Sequence, residues 1–343
     1  MRQFVSWNTT FAKLDNCGVW KEPVRADSRC APPYQNDKWC AALNAYVREF
    51  QKTEAGRKVR ILNCRLGCQG IEDIKDNDRC DYRRGLNDNQ RWRSYWFQPK
   101  FAQSASWCNM THMSRTTSDT RACFANLIVA VNAGLSSVDN MMNDFDQILI
   151  GMNKQMFEAS DPAKYGLDEF ESRTNMALFC IMSGPLLVAT NISSLPAYHT
   201  SLLLNKWAIY VDQYISTDSR IPYKYRLGYR LQPSQIHDWR AQSSNSVSVY
   251  WKLLGDDMNA FVICNQHNSQ PRSLTFNITD FIIKGNQYIT NNEAKRKTGF
   301  AYSVLNVFED TQTTVFGHTF QIDNLASHDS MMIITRPFVQ NCF

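Results

Sequence analysis

With 343 residues, 43% of them hydrophobic and 12% aromatic, the chain is long enough for one large and one smaller domain and too apolar to be disordered. A formal net charge of +5 is mild, and its densest basic stretch, RRGLNDNQRWR at 83–93, reads as a solvated loop, which argues against nucleic acid as a partner. Eleven cysteines against six histidines, with no paired C-x₂-C spacing of a structural zinc site, point to disulfides in a secretory compartment rather than to a metal.

The opening MRQFVSWNTTF has no sustained apolar region and does not read as a signal peptide, and no run reaches the ~20 apolar residues of a membrane span. Residues 1–7 fit the end of a helix and 10–14 a strand, which runs into FAKLDNC at 11–17. Asp15 there is either an attacking carboxylate or an ordinary turn residue. The stretch 18–37 is loop, CAALNAYVREFQKTEAG (40–56) has helical spacing, VRILNC (59–64) is strand-like, and 65–100 is a long polar loop.

Farther on, FAQSASWCN (101–109) holds a candidate strand and DTRACFANLIVAVNA (119–133) a helix, with Asp119 placed to cap it. MNDFDQ (142–147) reads as a strand–helix connection; Asp144 and Asp146 are a weak metal signal without further ligands, so no metal is expected. QILIG (147–151) is strand-like or a short helix, EFESRTNMALFCIM (169–182) an amphipathic helix and PLLVAT (185–190) a buried strand. SSLPAYHTSLLLNKWAIYVD (193–212) gives a further helix and a short extended run.

From about 228 the period changes to that of strands: SVSVYWKLL (246–254), MNAFVICNQ (258–266), RSLTFNITDF (272–281), HTFQIDNL (318–325) and SMMIITRP (330–337) are short and rich in β-branched or aromatic residues. Strand–helix alternation followed by an all-β segment predicts part of an α/β barrel carrying an antiparallel β-sandwich, in domains 1–225 and 226–343. Barrel enzymes place their chemistry at the C-terminal ends of strands, where Asp15, Cys64-Arg65, Asn109 and Thr190-Asn191 fall. Four N-x-[ST] sequons, at Asn8, Asn109, Asn191 and Asn277, agree with a secretory route.

These motifs resemble those of the α-galactosidase and α-N-acetylgalactosaminidase family of retaining glycosidases. KLDNC (13–17) is similar to that family's strand-four signature, TNMALFCIMSGPLLVATNISSL (174–195) to its final barrel helix, last strand and following loop, and MNDFDQILIG (142–151) to its W-N-D-P-D-M-L-x-x-G segment. VYWKLLGDDMNAFVICNQ (249–266) resembles its first C-terminal β hairpin. The resemblance implies a (β/α)8 TIM barrel of which only strands four to eight are represented. The chain would begin at the end of the third helix and so be truncated at its N-terminus. It also implies a lysosomal or secreted enzyme, a galactosyl glycoconjugate as carbohydrate partner, no cofactor and an allowed homodimer.

On this resemblance Asp15 matches the nucleophile and Lys13 a sugar-binding residue, while Asp144 and Asp146 shape the pocket and Cys64 pairs with Cys108. Retention needs a second carboxyl about 5–5.5 Å from the first, protonating the leaving oxygen and then activating water. The family pattern C-N-x-x-R-x-x-x-D-I-x-D-[ST]-W, laid without gaps on CNMTHMSRTTSDTR (108–121), puts His112 at its arginine and Thr116 at its acid. Sliding by three residues instead matches Arg115 to the arginine and Asp119 to the acid. The ungapped register keeps cysteine, asparagine, aspartate and threonine aligned and is preferred. Threonine cannot deliver a proton as a tuned carboxylic acid does, which predicts an impaired or inactive enzyme. Arg65 departs likewise, standing where the family has a sugar-contacting glutamate.

Overall fold

The computed structural model describes residues 10–14, 45–63, 113–115, 122–124, 127–128, 130–131, 142–152, 166–217, 226–231, 247–255, 258–267, 269–277, 301–316 and 319–338. These divide into two compact units, one holding the chain's parallel sheet up to Asp146, the other running from Gln147 to Phe343 and taking in 121–127.

In the first unit, strands β1 (Phe11–Leu14), β2 (Arg60–Asn63), β3 (Met113–Arg115) and β4 (Met142–Asp144) form one parallel sheet in chain order. Lys13, Leu62, Met113 and Met142 share one cross-strand row, and Leu14, Asn63, Ser114 and Asn143 the next. The short helix α1 (Glu54–Arg57) delivers the chain to β2; the Thr53 hydroxyl caps it by accepting from the Gly56 N–H at 3.0 Å. Gly56 is required there, since a Cβ would lie 1.8 Å from the Phe50 carbonyl oxygen.

The TIM barrel expected from the sequence is not formed. Among the described residues the parallel sheet has four strands and is open, with β1 and β4 as its outer members. Ile148 and Val188 make one isolated parallel bridge where QILIG was expected as a strand or short helix and PLLVAT as a buried strand. Four strands of three or four residues cannot wrap back on themselves, because closure at barrel curvature takes eight strands with a matching shear.

The second unit is built around α2 (Glu169–Ile181). Asp168 and Glu171 form a capping box at its start, and every residue from Thr174 to Ile181 is buried. Helices α3 (Ala197–Leu203) and α4 (Lys206–Gln213) follow a 3₁₀ turn at Ile192–Ser194. The stretch 193–212, expected as one helix and a short extended run, holds two helices, the second starting where the Asn205 side chain accepts from the N–H groups of Trp207 and Ala208.

The β segment is antiparallel, as the alternation predicts. Strands β5 (Tyr229–Arg230), β6 (Val247–Leu253), β7 (Asn259–Asn265), β9 (Ala301–Asn306), β10 (Thr311–Phe316) and β12 (Ser330–Phe338) form one sheet in the order β10-β9-β12-β7-β6-β5. The pair β8 (Arg272–Asn277) and β11 (Thr319–Leu325) forms the other. Val249, Trp251, Phe261, Ile263, Val304 and Ile333 of the larger sheet share a core with Leu274 and Ile322 of the smaller. α2 packs on β6, β7 and β12, so the larger sheet is buried on both faces in its middle.

Candidate functional site

In a parallel sheet all strands end at the same edge, and here the described strands end at Leu14, Asn63, Arg115 and Asp144. Arg115 and Asp144 are partners in register, so the last residues of β3 and β4 stand side by side. Lys13 is exposed on β1, three strands from β4, or about 14 Å at ~4.8 Å per strand. The sheet therefore brings Arg115 and Asp144 together and does not bring Lys13 to them.

Asp144 is 2% exposed and its Oδ1 accepts from the Asp146 backbone N–H at 2.8 Å. That bond turns the chain sharply as it leaves the sheet. Asp146 takes the left-handed conformation, φ +76°, which an Asp tolerates through such local bonding. Phe145 between them is fully buried and anchors the turn. The family's proline at this position is thus replaced by an apolar anchor, with the carboxylate of Asp144 fixing the geometry.

Within the second unit, Ile148 N–H donates to the Leu187 carbonyl at 2.7 Å and Ala189 N–H to the Ile148 carbonyl at 3.2 Å, lacing 148–151 to 187–195. Gly151 has φ +76°, and a Cβ there would come within 2.1 Å of Leu195 Cδ2. Asn175, fully buried on α2, accepts from the Leu149 N–H at 2.9 Å and positions the same segment. Sequence reasoning missed Asn175; its one signal was an amide inside an otherwise apolar helical run. Asn191 is exposed and its Oδ1 accepts from the Ser193 N–H at 3.2 Å, capping the 3₁₀ turn, while Asn277 ends β8 opposite Thr319.

Asp15, Arg65, His112, Thr116 and Asp119 lie outside the described residues, as do Cys64, Cys108, Asn8 and Asn109. Among the described residues, Cys123 is disulfide-bonded, whereas Cys180 and Cys264 are free and buried. No group of three or more His, Cys, Asp or Glu side chains able to hold a metal occurs among the described residues.

Residues 61–214 match the family model described as alpha galactosidase A, a melibiase family. No curated protein matches the sequence. Among solved structures, α-galactosidase I from Mortierella vinacea is similar with a TM-score of 0.60 at 13% identity, over 97% of this chain and 69% of that one. A GH27 β-L-arabinopyranosidase from Geobacillus stearothermophilus gives a TM-score of 0.61 at 11% identity, over 100% of this chain and 61% of the other. A putative α-galactosidase/melibiase from Bacteroides fragilis gives 0.56 at 16% identity, over 98% and 56%. The chain thus spans 56% to 69% of the length of these three, and at such identities the likeness is one of fold. The chain resembles the melibiase-type α-galactosidases at low identity.

Proposed function

We propose that this divergent relative of the α-galactosidases is a retaining glycoside hydrolase for terminal α-D-galactosyl or α-N-acetylgalactosaminyl groups. Its sugar site would lie at the edge where β1 to β4 end. The observation that carries the reading is the in-register parallel order of the four strands, which sets the turn-forming carboxylate of Asp144 at the same edge as Leu14, the residue before Asp15.

In this reading Asp15 attacks the anomeric carbon and forms a glycosyl ester as the leaving oxygen takes a proton. Water then cleaves that ester, and the two inversions return the original configuration. Asp119 supplies the acid/base carboxyl if the shifted register applies. Lys13, exposed on β1, would hydrogen-bond a sugar hydroxyl. A secreted or lysosomal setting belongs to the proposal and is supported by the disulfide at Cys123.

A second reading, a sugar-binding relative without turnover, is favoured by one feature: β3 ends at Arg115, so the residue that follows it is Thr116 rather than a carboxylic acid. Losing general acid catalysis costs about 10²–10⁴ in rate. Hydrolysis of p-nitrophenyl α-galactoside and calorimetric galactose binding separate the two. Turnover that disappears in Asp15→Asn supports the hydrolase. Galactose binding without turnover supports the second reading, and a folded chain doing neither overturns both.

A further inference from the structure

We propose that Lys252 and Asp212 form a pH-responsive latch that fastens the C-terminal end of α4 to β6 more firmly in mild acid than at neutral pH. The strand pattern dictates where Lys252 goes. Val247, Val249, Trp251 and Leu253 of β6 enter the core between the two sheets, so the period of two turns Ser248, Tyr250 and Lys252 to the opposite face, the one α2 covers. Lys252 is completely buried.

Its ammonium has three protons and finds three acceptors: the Ser183 hydroxyl, the Val211 carbonyl and, at 3.1 Å, the Asp212 carbonyl. Val211 and Asp212 lie in the last turn of α4, whose carbonyls have no partner within the helix and carry its negative dipole end. Ser183, just past the end of α2, sits in the left-handed conformation at φ +52°. One buried cation therefore ties together the ends of two helices.

The side chain of Asp212 completes the device by being incomplete. Its Oδ1 is buried and has no hydrogen-bond donor. An ionised carboxylate so placed is poorly compensated, and protonation removes the cost. Among the described residues, the titratable groups that act on one another here are Lys252 from β6, Asp212 from α4 and Cys180 from α2. Burial pushes the Cys180 thiol well up, so it stays neutral. Burial pushes Asp212 up to about 7, with Lys252 opposing, and draws Lys252 down to about 8, with Asp212 opposing.

The folded chain thus keeps a proton on Asp212 that the unfolded chain has already lost, between about 3.8 and about 7. Stability is gained as the pH falls through 7 and is fully present below 3.8. Lys252 is charged throughout that window and adds a constant cost, which is relieved only above about 8.

The test is thermal melting of the full chain and of Asp212→Asn at pH 5 and pH 7.5. The amide mimics the protonated acid, so the variant should stand above the wild type by about 4 °C more at pH 7.5 than at pH 5, where a smaller offset persists because the window reaches down to about 3.8. An equal offset at both pH values, or a variant less stable at pH 7.5, overturns the latch. Should the variant fail to fold, hydrogen exchange of the wild type decides. Protection of the α4 amides Ile209 and Tyr214, corrected for the intrinsic pH effect, should rise by several-fold from pH 7.5 to pH 5. Unchanged protection sinks the proposal.

Discussion

The parallel and antiparallel sheets of this chain are made from opposite kinds of strand. Those of the parallel sheet are three or four residues long and run directly into polar residues: β4 ends on Asn143 and Asp144. Those of the antiparallel sheet run from six to nine residues, except for β5, and β6 and β7 are buried along their whole length. The long strands hold their unit together by packing, while the short ones chiefly align the places where the chain leaves the sheet. Stability and candidate chemistry are carried by different elements, and substitutions in the two should fail in different ways.

The largest stability loss is expected beside the antiparallel sheet. Arg173 on α2 grips the Asp329 carboxylate with two bonds, at 2.8 and 2.6 Å, and neighbouring Thr174 donates to the His328 carbonyl at 2.7 Å. His328 in turn bonds Glu171 and stacks on Phe124 at 3.9 Å. Arg173→Met leaves the Asp329 carboxylate largely buried with little beyond the Ser330 N–H to answer it. The expected cost is about 3 kcal/mol in denaturant unfolding, with galactose affinity of the folded protein unchanged. A loss within the noise of the measurement would show that the clamp is ornamental.

Asp144→Ala should reverse that pattern. It removes the acceptor of the Asp146 N–H and costs about 1–2 kcal/mol, yet it unfixes the turn at the sheet's edge. Galactose binding should fall at least tenfold while Asp144→Asn, which keeps the oxygen, falls less. Equal affinity in all three proteins would remove Asp144 from the site.

The same contrast explains what the sequence disclosed. Short runs rich in β-branched and aromatic residues announced β6, β7, β8, β11 and β12, and the amphipathic pattern of 169–182 announced α2. β3 escaped notice because Met113-Ser114-Arg115 is too short to show a period. β10, TQTTVF, escaped because it is an edge strand exposed along most of its length and has no buried face to pattern. The barrel was inferred from strand–helix alternation and from the order of the motifs, but among the described residues four short parallel strands do not supply its closure. Of the site, MNDFDQ was legible only as a polar connection leaving a strand, since its first three residues are too few to show a strand period. Asn175 was not, because a buried amide in a helix looks like any other interior residue until its partner, the Leu149 N–H, is known.

The smallest effect tests whether the parallel sheet depends on how its strands are delivered. Thr53 caps a helix of only four residues, and that helix hands the chain through buried Val59 to Arg60, whose N–H donates to the Thr10 carbonyl at 2.8 Å and opens the β1–β2 ladder. Thr53→Ala removes one part-buried cap bond, which costs about 0.5–1 kcal/mol, far less than Arg173→Met. Because α1 has so few residues, the loss should stay local and appear as about threefold faster exchange of the Gly56 amide. Faster exchange spreading to Ile61 and Leu62 would mean that α1 sets the register of β2. Unaltered exchange at Gly56 would mean that the close fit of Gly56 against Phe50, not the hydroxyl, holds the turn.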